Sequence, residues 1–124
     1  MRPVRLLVVD DAPELRRLVR AMIPADVGIE VVEAATGEEG VEIMRGDPAD
    51  LVIMDEQLPG ISGADATREI KRIAPGVLVV GFTASPDAEQ PLLAAGAATH
   101  YSKLEFAAMI DYVLQRARRL PPGS

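Results

Sequence analysis

The chain has 124 residues and no cysteine, which fits a single domain and excludes a disulfide framework, a thiolate zinc site and a cysteine nucleophile. Its net charge of −6 and its aromatic content of 3% argue against a protein that binds nucleic acid through basic patches and stacked bases. No apolar run approaches the roughly 20 residues that cross a bilayer, and the first residues lack a signal-peptide pattern, so we expect a cytoplasmic protein without membrane contact.

Short apolar runs alternate with amphipathic segments along the chain, which predicts alternating strands and helices. The runs RLLVV, DLVIM and VLVVGF are apolar at nearly every position, as in strands that are buried on both faces. We predict strands at residues 5–9, 30–34, 50–54, 77–82 and 98–102. A helix follows each strand, and the fourth helix runs from about residue 86 to residue 95. The pattern predicts an α/β fold whose parallel sheet is covered by helices on both faces.

Local signals mark several helix ends. Asp11 suits the N-cap of the first helix, and Pro13 suits its first turn, where a missing N–H costs nothing. Thr36 and Glu39 have the spacing of a capping box at the start of the second helix. Gly96 suits the left-handed backbone that commonly ends a helix, here the fourth.

Polar residues come immediately after four of the predicted strands: Asp10, Asp11, Asp55, Thr83 and Lys103. Open parallel sheets bind ligands beyond the carboxyl ends of their strands, so these side chains are expected to share one rim. Crowded carboxylates repel one another unless a proton or a divalent cation intervenes, and oxygen ligands alone select a hard ion such as Mg²⁺. Each residue taken singly has an ordinary structural role, but the joint pattern indicates phosphoryl transfer with a carboxylate as acceptor.

Four segments carry a family resemblance: LLVVDD at 6–11, LVIMDEQLPGISG at 51–63, GFTAS at 81–85 and GAATHYSK at 96–103. In this order and spacing they resemble the receiver domain of a bacterial two-component response regulator, similar to the chemotaxis regulator. The resemblance implies a flavodoxin-like (βα)5 sandwich with strand order 2-1-3-4-5. It also implies a receiver domain over residues 1–120, followed by a tail or the start of a linker at 121–124.

The resemblance assigns an acceptor and a metal site. Asp55 matches the residue of the family that accepts a phosphoryl group from a histidine kinase. Asp10 and Asp11 match the acidic pair that holds Mg²⁺ together with Asp55, and the backbone carbonyl of Gln57 matches a further ligand. The implied cofactor is therefore Mg²⁺.

Further residues match the family's switch positions. Thr83 matches the hydroxyl residue that turns toward the phosphoryl group, and Lys103 matches the lysine that pairs with it. His100 stands where the family usually has tyrosine or phenylalanine, the aromatic side chain that changes rotamer on phosphorylation. Gln57 and Ser85 match positions that tune the lifetime of the phosphoryl group.

Two features are left open by the sequence. Leu104 follows Lys103 where the family most often has proline, and a non-proline cis peptide costs about 3 kcal/mol, so the configuration of this bond is undecided. Arg16, Arg17 and Arg20 on the first helix form either a solvated face or part of a kinase-docking surface.

The function implied is a phosphorylation-activated signalling switch, and not an enzyme beyond catalysing its own phosphorylation and dephosphorylation. Phosphorylation would change the face formed by the fourth helix, the fifth strand and the fifth helix. The implied partners are a sensor histidine kinase and a downstream target protein or the chain's own output domain. The same face is a candidate homodimer interface. Direct contact with nucleic acid by this domain is not expected.

Three rival interpretations remain. The chain is the receiver part of a DNA-binding transcriptional regulator whose output domain is absent from the sequence, or a pseudo-receiver that binds partners without being phosphorylated. A flavin- or nucleotide-binding domain of the same fold needs a phosphate loop rich in glycine, serine or threonine after the first strand. The loop here, DDAPE, is acidic and disfavours that interpretation.

Overall fold

Residues 3–120 are described by the structure, a computed structural model, and they alternate between strands and helices throughout. The strands are β1 (Val4–Val9), β2 (Ile29–Ala34), β3 (Leu51–Met54), β4 (Leu78–Thr83) and β5 (Thr99–Ser102). The α-helices are α1 (Pro13–Met22), α2 (Gly37–Gly46), α3 (Gly63–Ile73), α4 (Glu89–Ala95) and α5 (Phe106–Arg119). Short 3₁₀ turns occupy Ala25–Val27, Pro86–Ala88 and Lys103–Glu105.

The strands form one parallel sheet in the order β2-β1-β3-β4-β5, which confirms the predicted flavodoxin-like topology. Val9 at the end of β1 pairs with Met54 at the end of β3, and Met54 pairs with Gly81 of β4. At the edge of the sheet, Thr83 pairs with Ser102. This register brings the residues that follow β1, β3, β4 and β5 to one edge of the sheet.

The sheet is buried on both faces, as its apolar strands predicted. Leu7 and Val9 of β1 pack on the side of α2, α3 and α4, whereas Leu6 and Val8 pack on the side of α1 and α5. All four side chains are inaccessible to solvent. A chain of this size is stabilised mainly by such apolar burial, so the core fixes the rim without a disulfide.

The N-terminus of α1 differs from the prediction. Asp11 is not the N-cap: Ala12 occupies that position, and no side chain bonds to the helix end. Asp10 instead accepts a hydrogen bond from the Ala12 N–H at 2.9 Å, which closes an Asx turn and starts the helix one residue later. Pro13 lies in the first turn as predicted.

The predicted end of α4 is confirmed, since Gly96 adopts a left-handed φ of 117° after this helix. The capping box predicted for α2 is confirmed in part: the Thr36 hydroxyl accepts from the Glu39 N–H at 3.0 Å, but Oε1 of Glu39 accepts from the Ala35 N–H and not from the Thr36 N–H.

One helix is shorter than predicted. The predicted helix over 86–95 is divided into the 3₁₀ turn Pro86–Ala88 and α4. Ser85 begins that turn by accepting from the Asp87 N–H, which uses the hydroxyl as a local cap.

No helix within residues 3–120 combines the length and the apolar character that a bilayer-spanning segment needs.

Candidate functional site

Three carboxylates meet at the carboxyl edge of the sheet. Asp10 follows β1 and Asp55 follows β3, and the pairing of these two central strands makes the residues neighbours. One ligand oxygen from each of Asp10, Asp11 and Asp55 lies within 4.8 Å of the others. Asp10 and Asp55 are only 2% and 7% exposed, while Asp11 lies at the surface. The predicted acidic cluster therefore forms an open cleft with buried negative charge at its base.

Lys103 compensates part of this charge from the loop after β5. Its Nζ lies 2.6 Å from Oδ2 of Asp10 and 3.5 Å from Oδ2 of Asp55. The same ammonium lies 5.4 Å from the ring centroid of Phe82, within cation–π distance. A single ammonium facing three carboxylates leaves a net negative site, which attracts a cation.

The protonation of Asp55 reflects this environment. Burial raises the pKa of Asp55 to about 6; the Lys103 ammonium opposes the rise, and the neighbouring Asp10 carboxylate adds to it. The backbone N–H groups of Gln57 and Glu56 also stabilise the carboxylate, the first of them at 3.4 Å. Asp55 thus loses its proton near neutral pH, later than an exposed aspartate does.

We expect Asp55 to make the metal-free protein less stable as the pH rises. Its pKa is higher in the folded chain, about 6, than the usual 3.8, so the folded state binds the proton more tightly. The stabilising contribution is complete below pH 3.8 and is lost as the pH passes through about 6. Asp55→Asn removes this loss and should be more stable than the wild type by roughly 1–3 kcal/mol at pH 8, and about equal at pH 4. Urea unfolding at pH 4 and pH 8 gives the free energy of unfolding of both proteins. The same difference in stability at both pH values would contradict the prediction.

The donor set fits a hard divalent cation. All three clustered side chains offer carboxylate oxygens, the ligands that Mg²⁺ prefers. Gln57 lies at the exposed rim directly beyond Asp55. Its backbone carbonyl as a further ligand stays a prediction.

Two residues that the sequence analysis missed hold the loop after β3 in place. Oε1 of Glu56 accepts from the Ala64 N–H at 2.6 Å, and the carbonyl oxygen of Glu56 accepts from the Gly63 N–H at 3.0 Å. A Cβ on Gly63 would overlap the carbonyl oxygen of Asp55. The start of α3 is therefore hydrogen-bonded to Glu56 and lies directly against the backbone of Asp55. In the sequence, the only indication of this contact is the glycine at the start of the helix. Which backbone atoms it lies against depends on the path of the loop.

Thr83 and His100 contact each other on the α4 side of the rim. The Thr83 hydroxyl donates to the Ser85 carbonyl at 3.1 Å, and its Oγ1 lies 2.6 Å from Nε2 of His100. Nδ1 of His100 lies 3.7 Å from Oε1 of Glu89, a residue that the sequence analysis did not single out. Tyr101, the next residue along β5, points to the opposite face of the sheet and packs against Tyr112 of α5.

The loop after β5 is capped without a proline. Ser102 accepts from the Leu104 N–H at 3.0 Å, and Glu105 accepts from the Ser102 N–H at 2.9 Å, which completes a capping box. The peptide bond between Lys103 and Leu104 is trans, which settles the configuration that the sequence left open. Leu104 itself is 97% exposed.

Two arginines of α1 pair with Glu33, and one of them, Arg16, also contacts the backbone of Asp10. Arg16 donates to Oε1 of Glu33 at 3.0 Å and to the carbonyl oxygen of Asp10 at 2.6 Å, and Arg20 also pairs with Glu33. Hydrogen bonds from Arg20 and Arg16 hold the pKa of Glu33 below its usual value. Arg17 is exposed. Arg16 and Arg20 are thus tied to the fold rather than freely solvated.

The sheet order and the acidic cleft together define a receiver-type α/β domain. The family model described as "Response regulator receiver domain" matches residues 6–113, and the chain belongs to this family. It is 39% identical over 103 residues to the response regulator GacA of Pseudomonas viridiflava, a match over 81% of this chain and 48% of GacA. It is 37% identical over 103 residues to the response regulator UvrY of Escherichia coli K12, over 81% and 47% of the two chains. The chain thus spans about half the length of these curated relatives.

Solved structures show the same fold. The response regulator TrrA of Thermotoga maritima in complex with Mg²⁺-BeF has a TM-score of 0.80 at 30% identity, covering 94% of this chain and 99% of that one. A two-component response regulator of the LuxR family from Aurantimonas has a TM-score of 0.77 at 31% identity, covering 94% and 87%. Receiver domains bind Mg²⁺ at an acidic pocket, and the corresponding acidic cluster is present here.

Proposed function

We propose that this chain is a signalling switch that accepts a phosphoryl group on Asp55 with the help of Mg²⁺. The observation that carries the proposal is the position of Asp55: a buried carboxylate within 4.8 Å of two further acids and 3.5 Å from the Lys103 ammonium. A structural aspartate needs no such surroundings, whereas an acceptor of a charged group does. The donor that fits this family is a sensor histidine kinase, and a small acyl phosphate replaces it in the test tube. We place the reaction in the cytoplasm.

The transfer uses an oxygen of the Asp55 carboxylate as the nucleophile. This oxygen forms a bond to phosphorus while the bond from phosphorus to the donor's nitrogen or acyl oxygen breaks, and the leaving group keeps the electron pair. Asp10, Asp11, Asp55 and the carbonyl of Gln57 would hold Mg²⁺, which supplies positive charge for the phosphoryl oxygens when bound. Lys103 contributes a further cation from the side of β5.

The switch follows from the new charge. Phosphorylation adds close to two negative charges beside Lys103, and the Thr83 hydroxyl becomes a donor to the new oxygens. Thr83 then leaves His100, whose side chain is free to move, and the face of α4, β5 and α5 repacks. A downstream protein, an output domain or a second copy of the chain would read this face. Gln57 and Ser85 would tune the lifetime of the phosphoryl group, which the domain would form and hydrolyse by itself.

The extent of the functional unit is part of the proposal. Residues 1–120 would act as the receiver domain, and the predicted tail at 121–124 lies outside the described residues. An output domain, such as one that binds DNA, is suggested by the greater length of the curated relatives. A pseudo-receiver without phosphorylation finds no support in the cleft, where all the expected acids and the lysine are in place.

The test is covalent labelling by acetyl phosphate, followed by intact-protein mass spectrometry. In the presence of Mg²⁺ we expect the wild-type chain to gain the mass of one phosphoryl group, because the cation offsets the repulsion between the donor and the carboxylates. With excess EDTA we expect no gain. A wild-type chain that is never labelled, or is labelled equally with EDTA, would contradict the proposal.

A further inference from the structure

Thr83 contacts both the Ser85 carbonyl and the imidazole of His100. The threonine hydroxyl has one proton, and the Ser85 carbonyl, which can only accept, lies 3.1 Å from it. With that proton donated to Ser85, Oγ1 is an acceptor for the contact of 2.6 Å with Nε2 of His100. Nε2 then donates a hydrogen to Oγ1, as it does in the imidazolium; in the tautomer that is protonated only on Nδ1, the hydroxyl donates to Nε2 instead. Neither of these hydrogen bonds goes to the acidic cluster, so both must break before the hydroxyl can turn toward Asp55.

The other ring nitrogen faces a carboxylate. Nδ1 of His100 lies 3.7 Å from Oε1 of Glu89, the first residue of α4. If Nδ1 carried no proton, its lone pair would face a negative charge, whereas a protonated Nδ1 is attracted to it. In the imidazolium both contacts are satisfied, because Nε2–H donates to Thr83 and Nδ1–H is attracted to Glu89.

Within residues 3–120, no cation lines the groove beside His100. His100 and Glu89 line a groove of about 420 Å³ between the loop before α4 and the loop after β5. The charged side chains among the described residues that line this groove are Glu89 and Glu105. The face of β4 toward His100 contributes the Thr83 hydroxyl and Gly81, which carry no charge. Lys103, the cation of the neighbouring loop, is paired with Asp10.

We propose that Glu89 is a positioning residue that acts through His100 on Thr83, forming a latch that holds the Thr83 hydroxyl away from the acceptor site. The inference rests on the proposed function. The His100 side chain is 6% exposed, so an imidazolium that loses Oγ1 of Thr83 as acceptor is left with a poorly solvated charged N–H. The latch is therefore strongest when His100 is charged, and it opposes activation at acidic pH. Histidine is the side chain whose charge ordinarily changes between about pH 5 and 8.

The test is the binding of beryllofluoride, a phosphoryl mimic, in the presence of Mg²⁺, measured by calorimetry at about pH 6 and about pH 8.5. Glu89→Gln keeps the shape of the side chain and removes its charge. At the lower pH we expect this variant to bind the mimic about threefold tighter than the wild type, the ratio that an ion pair with a half-exposed carboxylate supports. At the higher pH the two affinities should agree. Asp55 also titrates in this range. Because it does so in both proteins, its effect on affinity cancels when the variant is compared with the wild type at the same pH.

Two further variants separate the latch from a general charge effect. Glu105→Gln removes the other carboxylate of the groove. This variant should bind beryllofluoride as tightly as the wild type at both pH values. In a His100→Phe background, Glu89→Gln should have no effect, because the residue through which it acts is absent. Equal effects of the two glutamate variants, or an effect of Glu89→Gln that persists without the histidine, would overturn the latch.

NMR of the ring nitrogens supplies a readout that is independent of binding. His100 is the single histidine of the chain, so its nitrogen signals need no assignment. We expect Glu89→Gln to shift the ring-nitrogen signals of His100 at about pH 6, because the carboxylate that faces Nδ1 is removed. Nitrogen signals that this substitution leaves unchanged would overturn the latch. If the wild type binds no beryllofluoride in the presence of Mg²⁺, both the proposed function and the latch are refuted. If the wild type binds it but the affinity of Glu89→Gln relative to wild type is the same at both pH values, only the latch is refuted.

Discussion

Asp55→Asn is expected to lower labelling by acetyl phosphate by more than about a hundredfold, because the neutral amide is a far weaker nucleophile than the carboxylate that it replaces. The substitution preserves the shape of a side chain that is 7% exposed, so the fold has no steric reason to change. The measurement is the initial rate at which intact protein gains one phosphoryl group in the presence of Mg²⁺. Circular dichroism confirms that the variant is folded.

Two control variants make the result specific to one carboxylate. Asp26→Asn removes an exposed acid in the 3₁₀ turn before β2 and should label like the wild type. Asp11→Asn removes an acid of the cluster but not the acceptor, so it should still be labelled and should need more Mg²⁺ for half-maximal rate. Labelling of Asp55→Asn at the wild-type rate would place the acceptor elsewhere and refute the assignment.

The parts of the site that were predictable lie at strand ends. The apolar run that ends at Val9 and the run that ends at Met54 are buried on both faces, so they had to be inner strands of a parallel sheet. The carboxyl ends of such strands meet at one edge, which is why the sequence predicts that Asp10, Asp55 and Lys103 lie together. The family resemblance then supplied the strand order, which periodicity alone does not determine.

The parts that were not predictable depend on loop paths. The N-cap of α1 was assigned to Asp11 because acidic residues favour that position, but Asp10 closes a turn on the Ala12 N–H and displaces the helix start by one residue. The neighbourhood of His100 depends on where α4 begins: a 3₁₀ turn precedes this helix, and Glu89, its first residue, faces the imidazole. Local helix and strand propensities do not predict such contacts between segments that are distant in sequence.

Gly63→Ala is expected to destabilise the fold by roughly 2–4 kcal/mol and to weaken Mg²⁺ binding at the same time. The added methyl group would overlap the carbonyl oxygen of Asp55 and lie 2.8 Å from both the carbonyl carbon of Asp55 and Cα of Glu56. All three of these atoms belong to the backbone, so no flexible side chain can yield. The chain must instead separate the start of α3 from the acceptor loop, which moves the carboxylate of Asp55 away from Asp10.

A matched glycine tests whether this effect comes from contact rather than from loss of a flexible residue. Gly46, the last residue of α2, has an open space where a Cβ would lie, so Gly46→Ala should be neutral or stabilise the fold by up to about 1 kcal/mol. Urea unfolding gives the stability of both variants, and calorimetric titration with Mg²⁺ gives their affinity. If Gly63→Ala lost stability but bound Mg²⁺ like the wild type, the close approach would matter for folding alone. The acidic cluster would then keep its geometry without the close approach of α3 to Asp55.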